Sequence, residues 1–249
     1  MVSGIKTFKE YFRNYTGQYV FIGGTACDLI LGQMDVHFRS TKDLDLVLII
    51  EAVSNGFIDQ FIRFVDDGGY SHIDKGTGDH QFYRFDKSQN HNFPAMIELF
   101  SRKPDYLLKL ENHLAPIHVN DDVVSLSAIL LDDDYYALLK KGMTEVEGIS
   151  VLGLEYLILF KMKAYLDLSG RRAAGEHVDS KNVKKHKNDV IRLGANLEPD
   201  AHVQIDGQVK ADAYDFLEKL TADPVNPRNL GINADEETVL NRIRNCFGL

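Results

Sequence analysis

Apolar and aromatic residues open the chain at Phe8, Tyr11, Phe12 and Tyr15, the three-to-four spacing of one helical face, which predicts a short amphipathic helix over 8–15. Tyr19-Val20-Phe21-Ile22 is a run of β-formers stopped by Gly23-Gly24. Thr25 is placed to cap a helix through Ala26-Cys27-Asp28-Leu29-Ile30-Leu31 to Gly32. A polar loop to about Lys42 leads into Leu44–Ile50, apolar and β-branched, the pattern of a buried strand. Ser54 can cap a helix with apolar positions Phe57, Ile58, Phe61, Ile62 and Val65, ended by Gly68-Gly69. Gln81–Phe85 and Ala95–Phe100 read as an antiparallel strand pair, and Val123–Leu131 as a further strand. Asp132-Asp133-Asp134 reads as an acidic turn. Beyond Gly153 the period changes: Leu154, Leu157, Ile158, Met162 and Tyr165 mark a long helix, and Ser180–Leu197, Ala211–Leu220 and Asp235–Cys246 mark three more. The expectation is an α+β fold, with a mixed sheet and flanking helices over 1–150 and a mainly helical domain over 151–249.

Composition narrows the class. The 249 residues are 44% hydrophobic and 26% charged, which excludes disordered and fibrous chains. No apolar run approaches the ~18–20 residues that span a bilayer, so no membrane partner is expected. The first ten residues lack the apolar stretch of a secretory signal, and Cys27 and Cys246 alone make neither a disulfide framework nor a zinc site, so the expected location is cytoplasmic. A net charge of −9 argues against indiscriminate coating of nucleic acid. The distribution changes that picture. Residues 1–150 hold 14 basic and 22 acidic side chains, and 151–249 hold 14 and 15. The stretch 160–192 has nine basic residues against four acidic ones, a potential seat for an anion.

Three elements carry candidate chemistry. Asp43 and Asp45 are two apart in a strand and therefore share a face. Paired carboxylates raise each other's pKa unless a cation compensates, and hard oxygen ligands suit Mg²⁺ with triphosphate oxygens and water completing its shell. Gly23-Gly24-Thr25 lies between strand and helix, where glycines admit close backbone approach and a helix N-terminus presents free N–H groups to phosphate. Glu98 is a lone carboxylate in the apolar strand Met96-Ile97-Glu98-Leu99-Phe100, with Asp86 a weaker candidate for the same role. Each element alone has an ordinary explanation: an acidic strand start, a capped turn, a polar edge. Cys27 and the pair Tyr135-Tyr136 read as core, and His37 as a solvent-facing loop residue.

In order, these elements resemble the nucleotidyltransferase superfamily related to polymerase β, and within it the AbiEii-type toxins of abortive-infection toxin–antitoxin pairs. The similar strings are Phe21-Ile22-Gly23-Gly24-Thr25-Ala26, Arg39-Ser40-Thr41-Lys42-Asp43-Leu44-Asp45-Leu46, Ile97-Glu98-Leu99-Phe100, Lys161-Met162-Lys163-Ala164 and Lys185-His186-Lys187-Asn188-Asp189-Val190-Ile191-Arg192-Leu193. They span roughly 18–195, and His186 stands where the family has Asp. The resemblance implies a polymerase-β-like fold and transfer of a nucleoside monophosphate from an NTP to an acceptor hydroxyl. It implies Mg²⁺ or Mn²⁺ on Asp43, Asp45 and Glu98, which are also the catalytic residues. It implies nucleotide contacts from Gly23, Gly24, Thr25, Arg39, Thr41, Lys161, Lys185 and Asp189. Lys163 is expected at the surface, and His186 on an exposed helical face. The implied partners are an NTP, a tRNA or other RNA acceptor, and an antitoxin encoded nearby. Two other readings compete: a small-molecule, antibiotic-type nucleotidyltransferase, and a non-catalytic nucleotide-binding module, which the complete set of carboxylates disfavours.

Overall fold

In a computed structural model, the described residues are 3–39, 41, 43–75, 82–101, 115–116, 129–130 and 132–249. The chain forms two compact units, Met1–Val119 with Met143–Gly153, and Asn120–Gly142 with Leu154–Leu249. The division differs from a single cut at 150/151, which would fall inside a strand, Ile149–Leu152. The segment 120–142 groups with the helical unit. The strand expected at Val123–Leu131 lies largely outside the described residues; within it, Ile129 and Leu130 are helical.

The first unit is built on one mixed sheet. Its strands are β1 (Tyr19–Phe21), β2 (Asp43–Leu48), β3 (His72–Lys75), β4 (Phe82–Asp86), β5 (Met96–Phe100), β6 (Ala115–Pro116), β7 (Met143–Val146) and β8 (Ile149–Leu152). They lie in the order β6-β3-β4-β5-β2-β1-β8-β7. β2 runs parallel to β5 and antiparallel to β1, and β4 is antiparallel to β5. The β7–β8 hairpin turns at Glu147-Gly148, both with positive φ, and β8 joins β1 in parallel. Sequence periodicity had not separated this hairpin from the helices around it, because its strands are only four residues each.

Among the described residues, three helices flank the sheet: α1 (Ile5–Phe12), α2 (Gly23–Gly32) and α3 (Asn55–Gly68). Ser54 caps α3 by accepting from the Phe57 amide, and Gly69 ends it in the left-handed conformation. Phe8 and Phe12 of α1, Phe57, Phe61 and Phe64 of α3, and Tyr19 and Phe21 of β1 form one buried aromatic cluster. Phe85 of β4 joins it against Phe61. That cluster takes the sheet face bearing Leu46, Leu48 and Phe85, and strand alternation turns the opposite face over to polar chemistry.

Thr25 is not the cap of α2, as the sequence suggested. The helix already begins at Gly23, and Thr25 is fully buried in its first turn. Its hydroxyl donates to the Asp43 carbonyl at 2.6 Å, tying helix to strand.

The second unit contains α4 (Asp133–Lys141), α5 (Leu154–Ala173), α6 (Ser180–Gly194), α7 (Gly207–Ala222) and α8 (Glu236–Phe247). Asp132–Asp134 is a helix start rather than a turn. The Asp132 carboxylate accepts from the amides of Asp134 at 2.9 Å and Tyr135 at 3.2 Å, and the acids that follow suit the positive end of the helix. α5 packs against both α6 and α7, and α8 against α6. Tyr165 and Phe216 meet edge-on where α5 and α7 pack.

Candidate active site

The register of three strands assembles the polar face. Asp45 of β2 lies opposite Glu98 of β5, and Glu98 lies opposite Arg84 of β4. One step along, Asp43, Met96 and Asp86 form the adjacent row. Because side chains alternate, Asp43, Asp45, Glu98, Arg84 and Asp86 all belong to the same face. Four carboxylates, Asp43 and Asp45 of β2, Glu98 of β5 and Asp86 of β4, are thus brought to the face that carries Arg84.

The guanidinium is not incidental. Arg84 Nε and Nη2 both donate to Oε1 of Glu98, at 2.9 and 2.6 Å. Their side chains are only 13% and 10% exposed, so water screens the pair weakly. Asp45, opposite Glu98 in the same row, is also hydrogen-bonded to its carboxyl group. Burial holds the Glu98 carboxyl above its ordinary range in spite of Arg84, and the charge of Asp43 adds to the rise. Sequence reasoning missed Arg84. The available signal was its two-residue spacing from Asp86 within Phe82-Tyr83-Arg84-Phe85-Asp86, which puts both on one strand face.

The turn before α2 closes on the same place. Gly23 has φ +64, and any Cβ there would overlap the Asp45 carboxylate, so only glycine fits. A Cβ on Gly24 would come within 2.8 Å of the Thr41 hydroxyl. Gly23 therefore packs directly against Asp45, and Gly24 against Thr41. The first bond closing α2 runs from the Ala26 amide to the Ile22 carbonyl at 3.3 Å. The amides of Gly23, Gly24 and Thr25 precede it and are the orphan donors of a helix start, beside the carboxylates. Arg39 lies just upstream of Thr41, its guanidinium 5.1 Å from the ring of Phe38.

The donor set suits a small hard cation. Mg²⁺ is held by one or two carboxylates and completes its shell with water and phosphate, and Asp43, Asp45 and Glu98 offer only oxygen. Four carboxylates on a face with the one guanidinium of Arg84 leave an excess of negative charge that a divalent ion would balance. Among the described residues, no group of three or more His, Cys, Asp or Glu side chains is already placed to hold a metal ion.

The remaining expected residues lie in the helical unit. Lys161 is buried and paired with Asp189 at 3.3 Å, and Asp189 has no exposed surface and also lies 3.5 Å from Arg192. Asp189 is therefore an interior carboxylate that binds α5 to α6, not part of a surface pair. Lys185 sits half-buried on α6. Lys163 is not a surface residue: it reaches Asp212 at 2.8 Å, and Asp212 also accepts from the Tyr135 hydroxyl at 2.9 Å. His186 is buried at 7% exposure rather than exposed. Its neighbour Lys187 is buried as well, through an ion pair with Asp223 and a 3.0 Å bond to that residue's carbonyl. Cys27, Tyr135 and Tyr136 are core, as expected, and His37 is exposed. No described helix is long and apolar enough to cross a membrane.

No family model and no curated protein sequence matches the chain. Among solved structures, it is similar to the Megavirus polyadenylate synthase (11% identity, TM-score 0.43, 88% of this chain). The chain spans only 36% of that viral protein's length. It is also similar to JHP933 from Helicobacter pylori (15% identity, TM-score 0.42, 96% of this chain and 85% of that one). A third is an antigenic nucleotidyltransferase-like protein from Paracoccidioides brasiliensis (14% identity, TM-score 0.43, 96% of this chain and 97% of that one).

Proposed function

We propose that the chain is a Mg²⁺- or Mn²⁺-dependent nucleotidyltransferase that moves a nucleoside monophosphate from an NTP to an acceptor hydroxyl, with RNA such as tRNA as the acceptor. The observation that carries this reading is the cross-strand row Asp45–Glu98–Arg84, with Asp43 beside it and Gly23 pressed against Asp45. Carboxylates gathered next to a glycine-bearing helix start are what binding a cation and a polyphosphate together requires. The string Arg39-Ser40-Thr41-Lys42-Asp43-Leu44-Asp45 adds the AbiEii likeness, and with it the proposal of a toxin held in check by an antitoxin partner.

In this scheme Asp43, Asp45 and Glu98 hold the divalent ion, which supplies charge neutralisation to the triphosphate when bound. The amides of Gly23 and Gly24 receive non-bridging phosphate oxygens. Thr25 keeps the Asp43 backbone in place through its hydroxyl. Glu98, its carboxyl raised by burial, is suited to accept the acceptor hydroxyl proton. Arg84 orients Glu98 and limits repulsion among the three carboxylates.

The test is incubation with each α-labelled NTP, Mg²⁺ and pools of tRNA, other RNA and small hydroxyl acceptors. Label in RNA that disappears in the Asp43→Ala plus Asp45→Ala variant supports the reading. Absence of label and of pyrophosphate with every nucleotide and acceptor overturns it.

A further inference from the structure

The helical unit contains a cavity of about 470 Å³ of its own, set where the last turn of α5 meets the first turns of α6. Its volume lies in the range of small-ligand sites. Arg172, Lys184 and Lys187 line it, with Asp223 the only carboxylate among its lining residues. Lys187 is already matched by Asp223. Arg172 and Lys184 are exposed and make no ion pair with any described residue, and the same holds for Lys181, one turn before Lys184. In a chain of net charge −9, cations left without carboxylate partners around a cavity are selective features.

The rest of the lining is specific in kind. Tyr165 and Val225 give an apolar floor, and the side-chain amides of Asn188 and Asn229 make no hydrogen bond with any described residue. Such amides can pair with the edge of a planar heterocycle, which offers both donors and acceptors. Lys181, Lys184 and Asn188 also follow one another at three and four residues, so they share a face of α6. The cationic row thus continues past the cavity along the helix.

We infer that this cavity binds a nucleotide unit, its base against Tyr165, Asn188 and Asn229 and its phosphate between Arg172 and Lys184, with Lys181 placed for the next phosphate of a single strand. The inference rests on the nucleotidyl-transfer reading only in taking a nucleotide as the ligand. Its test is independent of catalysis. Binding of a fluorescent short single-stranded RNA to the full chain is followed by anisotropy in EDTA, which removes any metal-dependent nucleotide site, with AMP as competitor. The variants are Arg172→Ala plus Lys184→Ala, Asn188→Ala, and Lys219→Ala as a surface-charge control in the same unit. The double variant is expected to weaken RNA binding about tenfold and to flatten the salt dependence by about 1.4 in log–log slope, at ~0.7 per lost phosphate contact. Asn188→Ala is expected to weaken it without changing the slope, and Lys219→Ala to leave it unchanged. AMP that displaces the RNA only weakly assigns a strand site, and AMP that competes on equal terms assigns a mononucleotide site; either supports the cavity. The inference is overturned if neither probe binds, or if Lys219→Ala costs as much as the double variant. Binding that survives in a chain with no transferase activity would separate this site from the catalytic proposal.

Discussion

Replacing Arg84 with Ala removes both hydrogen bonds from Oε1 of Glu98 and leaves that carboxylate in place, nine-tenths buried beside Asp43. Breaking a buried ion pair from one side costs about 3–5 kcal/mol, and the slight exposure of both partners puts this one at the lower end, about 3 kcal/mol. The loss should depend on pH with a definite sign. The Glu98 carboxyl already stands above its unfolded value, and Arg84 is the main influence holding it down. Without Arg84 it rises further. A carboxyl raised in the folded state favours folding below its unfolded pKa and loses that contribution as pH climbs through the folded value. Arg84→Ala should therefore be more damaging at about pH 7.5 than at about pH 5, because a raised carboxyl is more readily protonated as pH falls. Adding Glu98→Gln should recover most of the loss at the higher pH. The two cysteines provide the assay. Cys27 is fully buried in α2 of the sheet unit and Cys246 is buried in α8 of the helical unit, so urea-dependent alkylation read by mass spectrometry follows each unit separately. Equal loss at both pH values, or no recovery in the double variant, would refute the reasoning.

Other substitutions test neighbouring parts. Gly23→Ala forces a Cβ onto the Asp45 carboxylate at φ +64 and should abolish transferase activity while costing more than about 1 kcal/mol by thermal melt. Thr25→Val leaves the part-buried Asp43 carbonyl without its 2.6 Å partner and should cost about 1 kcal/mol in urea unfolding, whereas Thr25→Ser should cost much less. Burial, with Glu155 nearby, pushes the Cys246 thiol up to about 11. It should resist alkylation in the folded chain at neutral pH and become reactive only as the chain unfolds or as pH nears that value. The raised thiol also means a contribution to stability that is lost as pH rises from its ordinary value through about 11.

What the sequence could express was whatever depends on local period. The two-residue spacing of Asp43 and Asp45, the lone Glu98 in an apolar strand and the Gly23-Gly24 stop were all visible, and strand register then brings them together. The partners of buried charges were not visible, because they come from other elements. Arg84 looks like any strand polar until β4 is paired with β5. Lys163 and Lys187 look like surface lysines until Asp212 and Asp223 arrive from α7 and its end. Lys161 was singled out for phosphate, yet Asp189 holds it in the helical interior. Asp132-Asp133-Asp134 fits a turn and a helix start equally by composition, and only the bonds to the Asp134 and Tyr135 amides decide between them.

The central claim is that the face bearing Asp43, Asp45 and Glu98 transfers a nucleotide. Its most direct test follows one α-labelled NTP with Mg²⁺ and the RNA acceptor pool, measuring label in RNA and released pyrophosphate together. The account predicts equal amounts of both, and neither in Asp45→Asn or Glu98→Gln, with Cys27 protection unchanged. Pyrophosphate and labelled RNA produced undiminished by a folded Asp45→Asn variant would contradict it.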